Sequence, residues 1–189
     1  MTKVVILGDT GVGKTSLIQV KEKGSMGDQL ATIQPTEVHF TQIVNDTSVE
    51  VAIWDTPGQY NFRNMVKNFL RDSVGIVFVF DITNLESFSN LDEWYSFVTE
   101  AIHPQFFVLV QNKTDLEDER DVSEREAQEW ANNHHMTIIR TSAKSSKGVS
   151  DLFELIASEV YKHGQTSVSS EIKLKEEDAS SKKKKKCCK

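Results

Sequence analysis

The chain has 189 residues, 38% of them apolar and 26% charged, with a formal charge of −6. That length fits one domain with a tail, large enough to bury roughly 70% of the surface its unfolded chain exposes. No apolar run approaches the ~18 residues a membrane span needs, and the two cysteines, Cys187 and Cys188, are neighbours that build no disulfide framework. Val4–Leu7 is too short for a signal-peptide core and lacks a small-residue cleavage pattern. Secreted, disulfide-stapled and membrane-spanning classes are therefore excluded, and a cytosolic compartment is expected. Charge is divided along the chain: all 28 acidic residues precede Lys182, whereas six of the 22 basic ones are lysines in Lys182–Lys189. An acidic body with a basic end argues against nucleic-acid binding by the fold itself.

Short apolar runs alternate with segments of helical period, the pattern of an α/β domain on a mostly parallel sheet. Val4–Leu7 is the first predicted strand, and a short helix follows from Lys14 to about Val20. Residues 21–36 are polar and aperiodic and read as a loop. Val38–Val44 and Val49–Asp55 flank Asn45-Asp46-Thr47 and form a hairpin. Gly75–Asp81 and Phe106–Gln111 are continuous apolar runs, as strands buried on both faces require.

Phe88, Leu91, Trp94, Val98 and Ile102 recur at helical spacing, and Ser123 with Glu126 is a capping box that opens a helix toward Trp130. His134 and His135 fall at that helix's end as solvent-facing caps, with no ligand spacing around them. Val149, Leu152, Phe153, Ile156 and Val160 mark a final amphipathic helix. From Gly164 the composition turns Ser-, Glu- and Lys-rich, so the expected organisation is a domain over 1–164 and a flexible tail over 165–189.

Gly8-Asp9-Thr10-Gly11-Val12-Gly13-Lys14-Thr15 fits G-x-x-x-x-G-K-[ST] between the first strand and the first helix. The glycines let backbone N–H groups converge on phosphate oxygens, and the helix start points its positive dipole end the same way. Lys14 is placed for the β- and γ-phosphates and Thr15 for Mg²⁺. Three more segments sit at strand ends, where open α/β sheets bind ligands: Asp55-Thr56-Pro57-Gly58-Gln59, Asn112-Lys113-Thr114-Asp115 and Ser142-Ala143-Lys144. The Asp115 carboxylate can accept from both N1–H and the 2-amino group of guanine, a donor pair that adenine lacks.

The order and spacing of these segments resemble those of Ras-superfamily small GTPases, specifically the Rab family, over residues 3–163 and again in the tail. Thr32-Ile33, Phe62-Arg63, Asp81-Ile82-Thr83-Asn84 with Ser87-Phe88, and Trp94 are the Rab-like details. The resemblance implies a P-loop NTPase fold of the Ras-like G-domain type, with a six-stranded sheet, one strand antiparallel, and helices on both faces. It implies a membrane-anchored GTPase that binds GTP, GDP and Mg²⁺ and recruits effectors in vesicle traffic. On that reading Asp9, Thr10, Gly11, Val12, Gly13, Lys14, Thr15 and Gly58 hold the phosphates. Thr15, Thr32 and, through water, Asp55 hold Mg²⁺; Gln59 positions the attacking water. Lys113 packs along the base, Asn112 ties loops together, and Asp115, Ser142, Ala143 and Lys144 complete the guanine site.

Cys187-Cys188 beside Lys182–Lys186 resembles the doubly geranylgeranylated Rab ending and lacks the C-a-a-X form. Two lipids give stable anchoring, and each lysine near an anionic leaflet adds about 1 kcal/mol. The implied partners are an exchange factor, a GTPase-activating protein, effectors, a GDP-dissociation inhibitor or escort protein and a geranylgeranyltransferase. The chain is expected to be a monomer on the cytoplasmic face of an intracellular membrane, with a cytosolic pool.

Four departures from the family pattern stand out. Thr32 follows Thr15 by one residue fewer than the resemblance implies, which leaves Thr36 as a competing Mg²⁺-sensing threonine. Pro57 replaces the usual alanine before Gly58 and stiffens that turn, and Thr10 stands where a side chain crowds the γ-phosphate. A guanine-nucleotide-binding module with little intrinsic hydrolysis is the alternative reading; the retained Gln59 favours the enzyme, slow without an activating protein. Finally, no aromatic residue lies between Leu17 and His39 to stack on the base, and Met26 is nearest the expected place. A thioether contacts a ring face but orders a loop less well. Met26→Phe is therefore expected to slow spontaneous GDP dissociation, measured with a fluorescent nucleotide; an unchanged rate would count against this role.

Overall fold

The computed structural model describes residues 1–27, 31–59 and 63–163. The tail assigned to 165–189, with Cys187 and Cys188, lies outside the described residues, as do the domain boundary at 164 and Phe62. Six strands form one sheet: β1 (Thr2–Leu7), β2 (Thr36–Val44), β3 (Thr47–Asp55), β4 (Gly75–Asp81), β5 (Phe106–Asn112) and β6 (Thr137–Arg140). Their order is β2-β3-β1-β4-β5-β6, with the β2–β3 pair antiparallel and every other pair parallel. The helices are α1 (Lys14–Lys23), α2 (Arg63–Leu70), α3 (Leu85–Ser89), α4 (Leu91–Ala101), α5 (Glu124–Asn133) and α6 over 149–163.

Alternation along the central strands assigns side chains to two cores. Val4, Ile6, Val51, Ile53, Val77 and Val79 face one side with Leu17 and Ile18 of α1 and Leu152, Phe153 and Ile156 of α6. Val5, Leu7, Ile76, Phe78 and Phe80 face the other with Val66 and Leu70 of α2, Trp94 and Val98 of α4 and Ala127 and Ala131 of α5. β4 is buried throughout, as a strand covered on both faces must be. The expected α/β P-loop architecture, with helices on both faces, is the one observed.

Several boundaries differ from the sequence expectation, each for a local reason. Helix α1 runs to Lys23, past Val20, because Gly24 in the left-handed region (φ 77°) caps it by donating to the Val20 carbonyl. The hairpin turns on two residues, not three: Asn45 and Asp46 both have positive φ, the type I′ turn that matches strand twist. The single periodic helix expected through Phe88 and Ile102 is divided at Asn90, which ends α3 and starts α4. Helix α2 and a 3₁₀ segment, Thr114–Glu119, have no counterpart in the sequence reading.

His134 caps α5 as expected but does not face solvent. Its half-buried ring stacks on Trp130 with centroids 4.1 Å apart and meets the edge of Tyr95 at 4.4 Å. His135 is exposed, at φ 55°, and does end the helix as expected. The capping box is present in full, Glu126 N–H donating to Ser123 Oγ and Ser123 N–H to Glu126 Oε2.

Gly75 opens β4 directly beneath the Phe106 ring, so that a Cβ there would overlap the ring atoms. Phe106 is itself stacked on His163 of α6, with centroids 5.9 Å apart, and has little room to yield. Gly75→Ala is expected to destabilise the fold by ~1–3 kcal/mol through overpacking, read as a lower midpoint in urea unfolding at unchanged slope.

Candidate nucleotide-binding site

Strands β1, β3 and β5 all deliver the candidate residues at their carboxyl ends, so the sheet alone brings distant segments to one edge. Gly8, Gly11 and Gly13 adopt φ values of 139°, 81° and 100°, a region L side chains avoid. No side chain caps α1 and no acidic residue lies in its first turn, which leaves its positive end facing the loop. Lys14 folds back over this loop and donates from Nζ to the Gly8 and Asp9 carbonyls, each at 2.7 Å. Burial pushes its pKa down to about 8, against the opposing pull of Asp55 and Asp9.

A cavity of about 140 Å³ opens beside the loop, lined by Thr10, Gly11, Gly13, Lys14, Thr15 and Ser16 together with Ala31, Thr32, Thr56 and Gly58. Thr56 is fully buried and donates from its hydroxyl to the Ile6 carbonyl at 2.7 Å, which ties the end of β3 to β1. Gly58 then closes on the backbone of Asp9 and Thr10, in a space that no Cβ could share. Gln59 follows with its side chain exposed.

The structure brings Thr15, Thr32 and Asp55 together. Thr15 Oγ1 lies 2.6 Å from Asp55 Oδ2 and 2.7 Å from Thr32 Oγ1, and Thr32 Oγ1 is 3.4 Å from the same carboxylate oxygen. Thr36 is not part of this group; it is exposed at the start of edge strand β2, opposite Asp55 in the ladder. Asp55 Oδ1 is buried and has no hydrogen-bond partner among the described residues, an arrangement that costs at least ~1–3 kcal/mol of desolvation. Burial pushes the Asp55 carboxyl above its ordinary value, while the Thr15 hydrogen bond and the Lys14 charge act the other way.

One orphaned carboxylate oxygen beside two hydroxyls is a hard-oxygen donor set that fits Mg²⁺.

At the far end of the pocket Asn112 is buried and joins three segments. Its amide donates to the Val12 carbonyl at 2.7 Å, and its oxygen accepts from Thr141 Oγ1 at 3.0 Å and Ala143 N–H at 3.3 Å. Asp115 accepts from Ser142 Oγ at 2.5 Å and lies 3.8 Å from Lys144 Nζ. Lys113, at φ 66°, pairs with Asp81 at 2.5 Å. Met26 is half-buried against the core that holds Val12 and Leu17.

The chain is similar in sequence to known proteins. The model of the Ras family matches residues 3–162. Ras-related protein Rab-7b of Bos taurus is 36% identical over 185 residues, 93% of this chain and 92% of that protein. Ras-related protein Rab-11B of Dictyostelium discoideum is 31% identical over 163 residues, 85% of this chain and 74% of that protein. The chain belongs to the Rab family of small GTPases. As a Rab it hydrolyses GTP to GDP and phosphate. Rab GTPases act in vesicle trafficking. No helix among the described residues is long and apolar enough to cross a membrane.

The roles of four residues escaped the sequence reading of this Rab's pocket: Thr56, Asp81 as the partner of Lys113, and Asn90 and Trp94, which grip Asp9. Asp81 left a trace, a charge closing a wholly apolar strand. Thr56 and Asn90 left none, because a buried hydroxyl or amide looks like a surface residue until its partner is known.

Lys14 makes the pocket pH-sensitive. Its native pKa of about 8 lies below the 10.5 of the free side chain, so between these values the unfolded chain binds more protons and this group makes the nucleotide-free fold more stable as pH rises. Phosphate favours the ammonium form. Nucleotide binding to the emptied pocket is therefore expected to take up a proton at pH 9 and little at pH 7, and to weaken above pH 8. Calorimetry in buffers of different ionisation enthalpy checks this; equal uptake at both values would refute it.

Proposed function

We propose that this Rab is a two-state switch whose rim senses the terminal phosphate of GTP and whose lipidated tail places it on a membrane, where it recruits effectors. The observation that carries the reading is the meeting of three chain segments in one cavity: Thr15 from the phosphate loop, Thr32 from the segment before β2, and Gly58 from the turn after β3.

In this scheme Asp9 through Thr15 wrap the phosphates with backbone N–H groups, and Lys14 neutralises the β- and γ-phosphates. Gly58 offers its N–H to the γ-phosphate, and Gln59, beside it, orients the attacking water. Thr15, Thr32 and Asp55 would hold Mg²⁺, which when bound neutralises charge between the β- and γ-phosphates. Thr32 and Gly58 have a ligand to meet only when the γ-phosphate is present. That difference in contacts shifts the population between two loop arrangements. Asp115 reads guanine N1–H and the 2-amino group, Ala143 donates its N–H to the guanine oxygen, and Ser142 and Lys144 orient the Asp115 carboxylate. Met26 lies against the base.

By family relationship the cycle involves an exchange factor, an activating protein and effectors, with an escort protein or GDP-dissociation inhibitor for the lipidated form. Cys187 and Cys188 are the proposed prenylation sites, with Lys182–Lys186 drawn to an anionic leaflet.

The test separates the two threonines. Thr32→Ala is expected to lower affinity for a non-hydrolysable GTP analogue at least about tenfold relative to GDP, the scale of one charge-assisted contact. Thr36→Ala is expected to leave that ratio unchanged. An unchanged ratio in Thr32→Ala would remove the sensing role from this residue.

A further inference from the structure

Asp9 is the one charged side chain of the phosphate loop besides Lys14, and its carboxylate is absent from the lining of the phosphate cavity. It reaches instead to the start of α4. Oδ1 accepts from the Trp94 indole N–H at 2.8 Å, and Oδ2 accepts from Asn90 Nδ2 at 2.7 Å. The donors are 81 and 85 residues away in sequence, so the contact is purely tertiary.

Three features make this more than a chance pairing. Trp94 is 1% exposed, so its indole N–H must find an acceptor, and a carboxylate is the strongest available. Asn90 occupies the N-cap of α4, where an asparagine side chain ordinarily bonds the first-turn backbone, yet it makes no cap bond there; its amide points to Asp9. Both donors, moreover, belong to the N-cap and first turn of one eleven-residue helix, so a single carboxylate fixes that turn against the loop.

We infer that the Asp9 carboxylate, held by Asn90 and Trp94, is a latch that positions the phosphate loop against α4. The three are positioning residues and touch no phosphate through their side chains. The latch keeps a negative charge out of an anion site and fixes the strand-to-helix turn from outside. It also joins the loop to the turn after β3: Gly58 packs on the Asp9–Thr10 backbone, and α2, which follows Gly58, packs on α4 through the core that holds Val66, Leu70, Leu91 and Trp94.

The inference rests on the reading that Asp9–Thr15 cradle the β-phosphate, and comparing GDP with GMP isolates that part of the ligand. Trp94→Phe keeps the buried ring and deletes the N–H; Asn90→Ala deletes the amide and keeps the helix junction. Each is expected to lower GDP affinity about tenfold, the scale of one charge-assisted hydrogen bond, while GMP affinity changes less than about twofold. In an Asp9→Ala background neither substitution should weaken GDP further, since the shared acceptor is gone.

A role confined to satisfying a buried N–H would lower GDP and GMP affinity by the same factor, and that result overturns the latch. So do unchanged GDP affinity and full additivity with Asp9→Ala. Should Trp94→Phe fail to fold, Asn90→Ala carries the same comparison. A wild-type protein that held GMP as tightly as GDP would overturn the phosphate-loop reading itself, and the latch with it.

Discussion

The pocket's geometry depends on a single buried amide. Asn112, at the end of β5, donates to the carbonyl of Val12 in the phosphate loop and accepts from Thr141 and Ala143 in the segment after β6. Three loops, the first a hundred residues before Asn112 and the last about thirty after it, are thereby held at a set spacing that a nucleotide bridging them needs. The same amide occupies the space a Cβ on Gly13 would need, so the glycine's left-handed turn and the asparagine's position are one constraint seen from two sides. An apolar residue at 112 would leave the Val12 carbonyl without its donor and Thr141 and Ala143 without their acceptor.

Electrostatics in the cavity are arranged for a ligand. Lys14 is 5% exposed and Asp55 4% exposed; burial drives the pKa of the first down and of the second up, each toward its neutral form. Neither is fully relieved by the other, since Lys14 Nζ bonds carbonyls and Asp55 Oδ1 bonds nothing among the described residues. Anionic phosphate answers the first and a hard divalent cation the second. Burying both groups carries a desolvation cost that a ligand of complementary charge offsets.

Rigid and responsive parts are divided by topology. The parallel strands β1, β4 and β5 lie inside the sheet and support the phosphate loop and Asn112. Thr32 precedes the edge strand β2, and Gly58 follows β3, the strand beside it. Each is tied inward by few bonds, Thr32 by hydroxyl contacts to Thr15 and Asp55, and Gly58 by backbone packing on Asp9 and Thr10. Contacts of that kind are remade cheaply when a ligand changes, whereas the central strands would have to break ladder bonds.

The sequence alone determined the architecture and the chemistry of the pocket's parts. Local rules sufficed there: strand runs with period two, a glycine-rich loop opening a helix, a capping box, and polar motifs at strand ends. Helix ends and divisions were less legible, because the local caps at Gly24 and Asn90 use residue types that ordinary polar turns share. The tertiary structure decided which residues meet. It placed the Thr32 hydroxyl, and not that of Thr36, at the Asp55 carboxylate, packed the half-buried His134 ring against Trp130 and Tyr95, and turned the Asp9 carboxylate toward α4. Each of these depends on where two distant segments come to lie, and a hydroxyl, a ring or a carboxylate carries no mark in the chain of the partner it will find.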